Sequence, residues 1–454
     1  MTPGMSAENK KILFVSHGHP DINPGGGEIA AYNLFSELKK TDGFESCFLA
    51  RHDKSARVHG GTTFSGTGKP NEILFYAPMA DWFQFSQPDK PKIWRDFRET
   101  LSLFQPDMIH FHHYVHLGLE MIREVKNFNK NIPVVLTLHE YFGICHNHGQ
   151  MIKANDGALC HESSPAECAR CFPKYSPQDF FLRKQFIQSY FALVDQFVSP
   201  SEFLRQRYIE WGIPSEKITV IENIDLADVS AQQHGIRGIQ STSPEQVESD
   251  EGRNRVRFSF FGQINWFKGI DVLIDAVSYL PEKTRKKITI NINGSGLENQ
   301  TEEMQEYVKK SIQNSNGVIR LRGKYERYEL PDLMRSSDWV VIPSKWWENS
   351  PMVILEAKKF GVPVLCSNIG GMAEKVEHGV TGLHFQAGRA DSLAEQIEWV
   401  VRNRQVQKEY AENIAGEYAS AADFQEHVNL YDKLLGQALS ESDLPGANSA
   451  LKVA

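Results

Sequence analysis

Short apolar runs, each stopped by glycine, proline, histidine or serine and followed by residues at helical spacing, recur along this chain and constrain its fold most. KILFVS (11–16) is such a run, ended by His17-Gly18-His19-Pro20, with a helix expected from about Glu28. DMIHFHH (107–113), PVVLTLH (133–139) and QFVSPS (196–201) continue the series. Runs that are apolar throughout suit strands buried on both faces, and intervening helices supply the crossovers of a parallel sheet. Residues 228–254 break the pattern, because "STSPEQVESDEG" has almost nothing to bury. The pattern restarts at VRFSFFG (256–262) and continues through ITININGSG, GVIRLRG, DWVVIPS and VPVLCS. Between them KGIDVLIDAVSYL places Ile270, Leu273, Ile274 and Val277 on one helical face.

The expected fold is therefore α/β, with two Rossmann-like, doubly wound parallel-sheet domains at 1–225 and 255–400. A linker or surface loop is expected at 226–254. Helices are expected over 401–454, packing back across the domains and ending in a disordered tail. A length of 454 residues exceeds one ordinary core and agrees with two domains. The net charge of −8 argues against wholesale nucleic-acid binding. No apolar run approaches the roughly 18 residues of a membrane span. MTPGMSAENKK carries no signal-peptide core, so a cytoplasmic chain with reduced cysteines is expected.

In an open parallel sheet, ligands bind beyond the carboxyl ends of the strands. There NPGGGE offers Gly25 and Gly26 either as a phosphate-binding loop or as a flexible turn. His139 ends a strand, where its imidazole either faces a cleft or is a hydrogen-bonded structural group. His110, His112, His113 and His116 form a denser cluster, with His110 and His112 expected on one strand face. Lys268, after the strand ending at Gly262-Gln263, is placed to neutralise a diphosphate or else is a solvated surface lysine.

The stretch KWWENSPMVILEA (345–357) is the most telling. Ser350 reads as an N-cap and Pro351 as the first helical residue, leaving Glu348 and Asn349 in the loop and Glu356 in the second turn. The amides of Met352 and Val353 would then form an anion cradle between two carboxylates able to accept from hydroxyl groups. Trp346 and Trp347 either wall a sugar pocket or pack the loop.

In this order, the GG after the first strand, "TLHEY", the Lys-Gly after "FFGQINWF" and the Glu-x7-Glu of "ENSPMVILEA" resemble the retaining GT-B glycosyltransferases of family 4, over about residues 11–400. The resemblance implies two Rossmann-like domains facing across a cleft, and transfer of a sugar from a UDP- or GDP-linked donor to a saccharide or lipid-linked acceptor. It implies that Glu348 lies beside the donor sugar and that Glu356 and the helix start Ser350–Val353 hold ribose and phosphate. It further implies that Lys268 binds the diphosphate, that Gly25-Gly26 lie against the phosphates, and that His139 touches the sugar. No metal is needed for that chemistry. The family's usual arginine after the FxG glycine is Gln263 here, which shifts diphosphate stabilisation onto Lys268 and the helix amides. A nucleotide-sugar 2-epimerase of the same fold and a non-catalytic subunit of a polysaccharide assembly complex are the alternatives.

Two further features stand apart. Cys145, Cys160, Cys168 and Cys171 cluster in an insertion at about 145–175, where a structural zinc or free thiols are the two readings. FPKYSPQDFFLRKQFIQSYF mixes aromatics with Lys174, Arg183 and Lys184, which suits either peripheral contact with the inner face of a membrane or a helix burying its aromatics.

Overall fold

The computed structural model describes residues 9–53, 62–225, 255–417 and 420–442. The expected linker and disordered tail lie outside the described residues. The described chain forms two compact units, one from the residues up to Ile224 together with those from Ser420 onward, the other within Asp225–Ala419.

The first unit is built on eight strands: β1 (Lys10–Ser16), β2 (Phe44–His52), β3 (Phe64–Gly66), β4 (Glu72–Tyr76), β5 (Met108–Phe111), β6 (Val134–Thr137), β7 (Gln196–Ser199) and β8 (Ile218–Val220). They lie in the order β3-β4-β2-β1-β5-β6-β7-β8, parallel except for β3 against β4. The second unit holds β9 (Val256–Phe261), β10 (Ile288–Asn293), β11 (Ile319–Gly323), β12 (Trp339–Ile342), β13 (Val364–Ser367) and β14 (Gly382–Phe385). Their order is β11-β10-β9-β12-β13-β14, parallel throughout. The all-apolar runs sit where a doubly covered sheet needs them: Ile12, Leu13, Phe14 and Val15 are fully buried, as are Phe258, Ile288 and Ile290. The helix Ile270–Tyr279 buries Ile270, Leu273, Ile274 and Val277 against the second sheet, as its spacing requires.

The helical carboxyl-terminal segment divides between the units. Helices Ala390–Arg402 and Val406–Glu417 pack on the second unit, where Leu393 and Ile397 enter its core and the Tyr410 ring meets the Trp339 ring edge at 5.8 Å. The last helix, Ser420–Ser442, belongs to the first unit. It is fastened there by a buried hydrogen bond of 2.6 Å between the Tyr431 hydroxyl and His110 Nδ1, while His110 Nε2 lies 2.7 Å from Thr137 Oγ1. Lys10 Nζ adds an ion pair to Asp432 at 2.7 Å.

Three local expectations need correction. β5 ends at Phe111, so His110 alone is on the strand, and His112 lies just past its end. The helix after β12 is Met352–Lys359 with Pro351 at its N-cap position, so Ser350 is not the cap. Proline causes the shift, because an extended Pro351 (ψ 118°) accepts from Ile354 N–H through its own carbonyl at 2.9 Å. The first helix, Gly26–Leu38, begins two residues before Glu28.

Replacing Tyr431 by Phe leaves the buried His110 Nδ1 without its hydroxyl partner. The expected cost is about 1–3 kcal/mol, read as a lower Tm in thermal unfolding followed by circular dichroism.

Candidate active site

Each sheet has one place where the chain order reverses. β9 is flanked by β10 on one side and β12 on the other, and β1 by β2 and β5. Connections leave such a pair of neighbouring strands in opposite directions, opening a crevice at their carboxyl ends. The sequence places its chemistry in the loops that follow these strands.

In the second unit, the loops after β9 and β12 lock together. Lys345 N–H donates to Phe267 O at 2.8 Å. Gly269, at φ 69°, lies so close to the Pro343 carbonyl that a β-carbon there would overlap it. The glycine of the Lys-Gly pair is thus needed for both conformation and space. This clasp brings Lys268 Nζ to 2.6 Å from Glu348 Oε1. The same oxygen accepts from Ser344 Oγ at 2.8 Å and from the Trp346 indole N–H at 2.9 Å. Trp346 therefore holds Glu348 directly, while Trp347 is buried. Glu348 and Asn349 are buried beside the start of the Met352 helix, and Gln263 is exposed at the start of the loop after β9.

Glu356 occupies the second turn of that helix, as the spacing predicts. Burial pushes its carboxyl up to about 7, assisted by the negative charge of Asp225 and opposed by Arg327 and Lys359. Asp225 itself is buried, with Lys359 Nζ and Arg327 Nη2 each 3.7 Å from its carboxylate.

The sequence reading missed Gly370-Gly371. Gly371 N–H donates to Glu348 O at 2.7 Å, and a β-carbon at Gly371 would overlap the Asn349 carbonyl. The paired glycines of "NIGGMAE", directly before a helix, were the available signal.

In the first unit, Gly25 is the extended N-cap of its helix (φ −133°, ψ 163°), with Gly26 as the first helical residue. The space against Gly25 and Gly18 is filled by the Glu28 carboxylate rather than left open. A first-turn acid is drawn to the positive helix end, and Glu28 also pairs with His17 Nε2 at 3.1 Å. The His17 ring lies 4.2 Å from that of His113, whose Nε2 is 2.7 Å from Glu140 Oε2. Burial alone would raise Glu28 and Glu140, but the facing imidazoles hold both carboxyls below their usual range. Burial also works to lower His17, yet Glu28 raises it overall. Glu28, Glu140 and His17 were not singled out from sequence, where a lone acid after a glycine run or after "TLH" has no period to mark it. His139, past the end of β6, abuts Gly27 and lies with its Nε2 3.1 Å from His112 Nδ1.

For the four clustered cysteines, a structural zinc and free thiols are the two readings. Among the described residues no three His, Cys, Asp or Glu side chains are grouped to hold a metal ion. Instead Cys171 Sγ accepts from Ala154 N–H at 3.0 Å and Cys160 Sγ donates to Glu162 O at 3.1 Å. Burial pushes the Cys145 and Cys168 thiols up to about 11. In the aromatic helix Pro177–Phe191, Arg183 is not part of a basic face. It is buried, donating to the carbonyls of Phe83, Gly143 and Phe142 at 2.8, 2.8 and 2.6 Å. Phe180, Ile187 and Tyr190 are buried with it, whereas Phe181 and Leu182 are more than half exposed at 53% and 57%. Among the described residues no helix is long and apolar enough to cross a membrane.

Two family models lie side by side on this chain: Glycosyltransferase Family 4 over residues 24–224 and Glycosyl transferases group 1 over 241–416. Both models describe glycosyltransferases, and the two parallel-sheet units have the GT-B fold. HepE of Anabaena, solved with UDP and glucose, superposes with a TM-score of 0.63 at 17% identity, covering 94% of this chain and 100% of that one. Sucrose-phosphate synthase of Thermosynechococcus elongatus gives 0.67 at 17% identity, with the same two coverages. At such identity these two speak for the GT-B fold alone. A lipopolysaccharide 1,2-N-acetylglucosaminetransferase of Salmonella typhimurium is 26% identical over 44% of this chain and 51% of its own length. An uncharacterized protein of the cps region of Klebsiella pneumoniae is also 26% identical, over 41% and 46%. The matches span about half of the length of such curated relatives, 38–58% for the first three.

Two outcomes test this geometry. Gly371→Ala pushes the Asn349 backbone away from Glu348 and is expected to cost about 1–3 kcal/mol, read as a lower Tm in thermal unfolding. Glu356 binds its proton more tightly folded than unfolded, so its stabilising contribution is present below about pH 4.5 and lost as pH rises through about 7. Glu356→Gln should therefore raise the Tm of the ligand-free chain at pH 8 but not at pH 4.5, by about 2–4 °C for each kcal/mol recovered.

Proposed function

We propose that this chain transfers a sugar from a nucleotide diphosphate sugar to an acceptor hydroxyl with retention of anomeric configuration, as a family 4 enzyme of surface polysaccharide or glycolipid synthesis. The observation that carries the reading is the clasp of the β9 and β12 loops, which sets Lys268 against Glu348 just ahead of the Met352 and Val353 amides in the first turn of the following helix. These amides and the Lys268 ammonium are cationic or dipolar groups fixed in place, and so suit the negative charge that grows on a leaving diphosphate. Glu348, with Oε1 already engaged by three donors, suits a sugar hydroxyl through its other oxygen. Glu356 suits the ribose hydroxyls. Attack on the donor's front face, with the leaving phosphate taking the acceptor proton, yields retention and needs no protein nucleophile. Gln263 supplies no charge, so the diphosphate rests on Lys268 and the helix amides. The UDP bound in the HepE structure favours a uridine donor, and the name of the Salmonella relative favours a saccharide or lipid-linked acceptor.

The pure protein incubated with UDP- and GDP-linked sugars and a panel of glycosides should release nucleoside diphosphate only when donor and acceptor are both present. The product's anomeric proton coupling should match that of the donor. Epimerised nucleotide sugar without acceptor would instead establish the epimerase alternative, and nucleotide binding without turnover the non-catalytic one. Glu356→Ala is expected to weaken nucleotide binding about tenfold or more, while Glu348→Ala mainly lowers kcat, about a hundredfold. Unchanged nucleotide affinity in Glu356→Ala would remove that residue from the site.

A further inference from the structure

β5 stops at Phe111, and the next residue, His112, is drawn in by a hydrogen bond from its N–H to Val15 O at 2.8 Å. His112 is 3% exposed, its ring stacked on Phe14 at 5.9 Å and 29° and on His139 at 5.4 Å and 25°, and tilted against His110 at 4.2 Å and 32°. The contact with His139 is more than stacking, because His112 Nδ1 lies 3.1 Å from His139 Nε2. Two imidazole nitrogens at that separation need one proton between them, so the tautomers of the two rings are coupled. Both rings are neutral near pH 7. Burial lowers each, the imidazoles of His110, His113, His427 and His17 add to this, and only the carboxylates of Glu140 and Glu28 oppose it at His139.

His112's other nitrogen decides which ring supplies the proton. Nε2 is buried and has no hydrogen-bond partner among the described residues. A proton on it would strand a buried N–H, whereas a proton on Nδ1 leaves only a lone pair unused. Orphaned buried N–H groups are the rarer of the two in folded proteins. His110 does not compete for His139, since Tyr431 and Thr137 take both its nitrogens.

We propose that His112 is a positioning residue: it donates from Nδ1 to His139 Nε2 and thereby fixes the His139 proton on Nδ1, as a donor for a bound sugar. The tautomer stands on this geometry alone; the use made of it rests on the sugar-transfer reading. The device resembles the second groups that fix the tautomer of metal-bound or catalytic histidines, whose loss costs about tenfold to a hundredfold in activity.

Histidine-labelled full-length protein, read by two-bond 1H–15N correlation without ligand, reports which nitrogen carries each proton; His139→Gln assigns the His139 signals. His139 is expected in the Nδ1–H form in the wild-type chain. His112→Asn, whose carboxamide nitrogen takes the place of Nδ1, should keep that form. His112→Phe keeps the ring against Phe14 but has no donor, and should move His139 to Nε2–H or to a mixture. With a donor sugar and acceptor that the wild-type chain uses, His112→Phe should lose about tenfold or more in kcat at unchanged UDP affinity, with His112→Asn largely restoring it. A His139 that carries its proton on Nε2 in the wild-type chain overturns the proposal even if His112→Phe does not fold, and so does an unaltered His139 signal in a folded His112→Phe. If no sugar is transferred by the wild-type chain, the transfer reading falls while the ligand-free spectra still decide the role of His112.

Discussion

The reversal of chain order beside the first strand of each sheet is the constraint from which the rest follows. A parallel sheet built from right-handed crossovers must send its loops to opposite faces at one point, and only there does a crevice open at the strand ends. In the second unit that point lies between β9 and β12, and in the first between β1 and β5. The loops after those four strands carry Lys268, Glu348, His17, His112 and His113. Residues far apart in sequence, such as Lys268 and Glu348, meet at 2.6 Å because their strands are neighbours.

Much of this was legible in the residues, and the failures have physical causes. KILFVS, PVVLTLH, VRFSFFG and DWVVIPS announced buried strands because continuous apolar runs have few other uses. β2 passed unnoticed since FESCFLARH mixes Glu45, Ser46 and Arg51 with its apolar residues, although Arg51 is buried with Nε donating to Ala77 O at 2.9 Å. β14, GLHF, offers no continuous apolar run, because His384 interrupts it. The positions of Lys268 and Glu348 ahead of a helix, and of Glu356 inside one, were readable from spacing and helix-start signals. The Glu28–His17 and His113–Glu140 pairs were not, because their partners come from separate loops and only the sheet brings them together.

The two clusters at the strand ends also differ in how they hold charge. In the second unit Glu348 is satisfied by an ammonium, a hydroxyl and an indole, while Glu356 shares its surroundings with another acid, Asp225, and is pushed towards the neutral form. In the first unit each acid faces an imidazole and is held ionised. Buried ionisable groups are costly unless paired, and the pairing of these at the strand ends agrees with a use beyond stability.

The return of the last helix to the first unit has a consequence for how the chain is made. The first unit cannot complete its core until residues after Ser420 leave the ribosome, by which time the whole of Asp225–Ala419 has already been synthesised. At roughly 5–20 residues per second, that interval lasts on the order of tens of seconds. Throughout it the His110 imidazole waits beside β6 without the Tyr431 hydroxyl, and the sheet face that the helix will cover is open. The second unit, whose sequence is contiguous, can close first. The nascent first unit is thus the part of this protein with most need of protection from premature association.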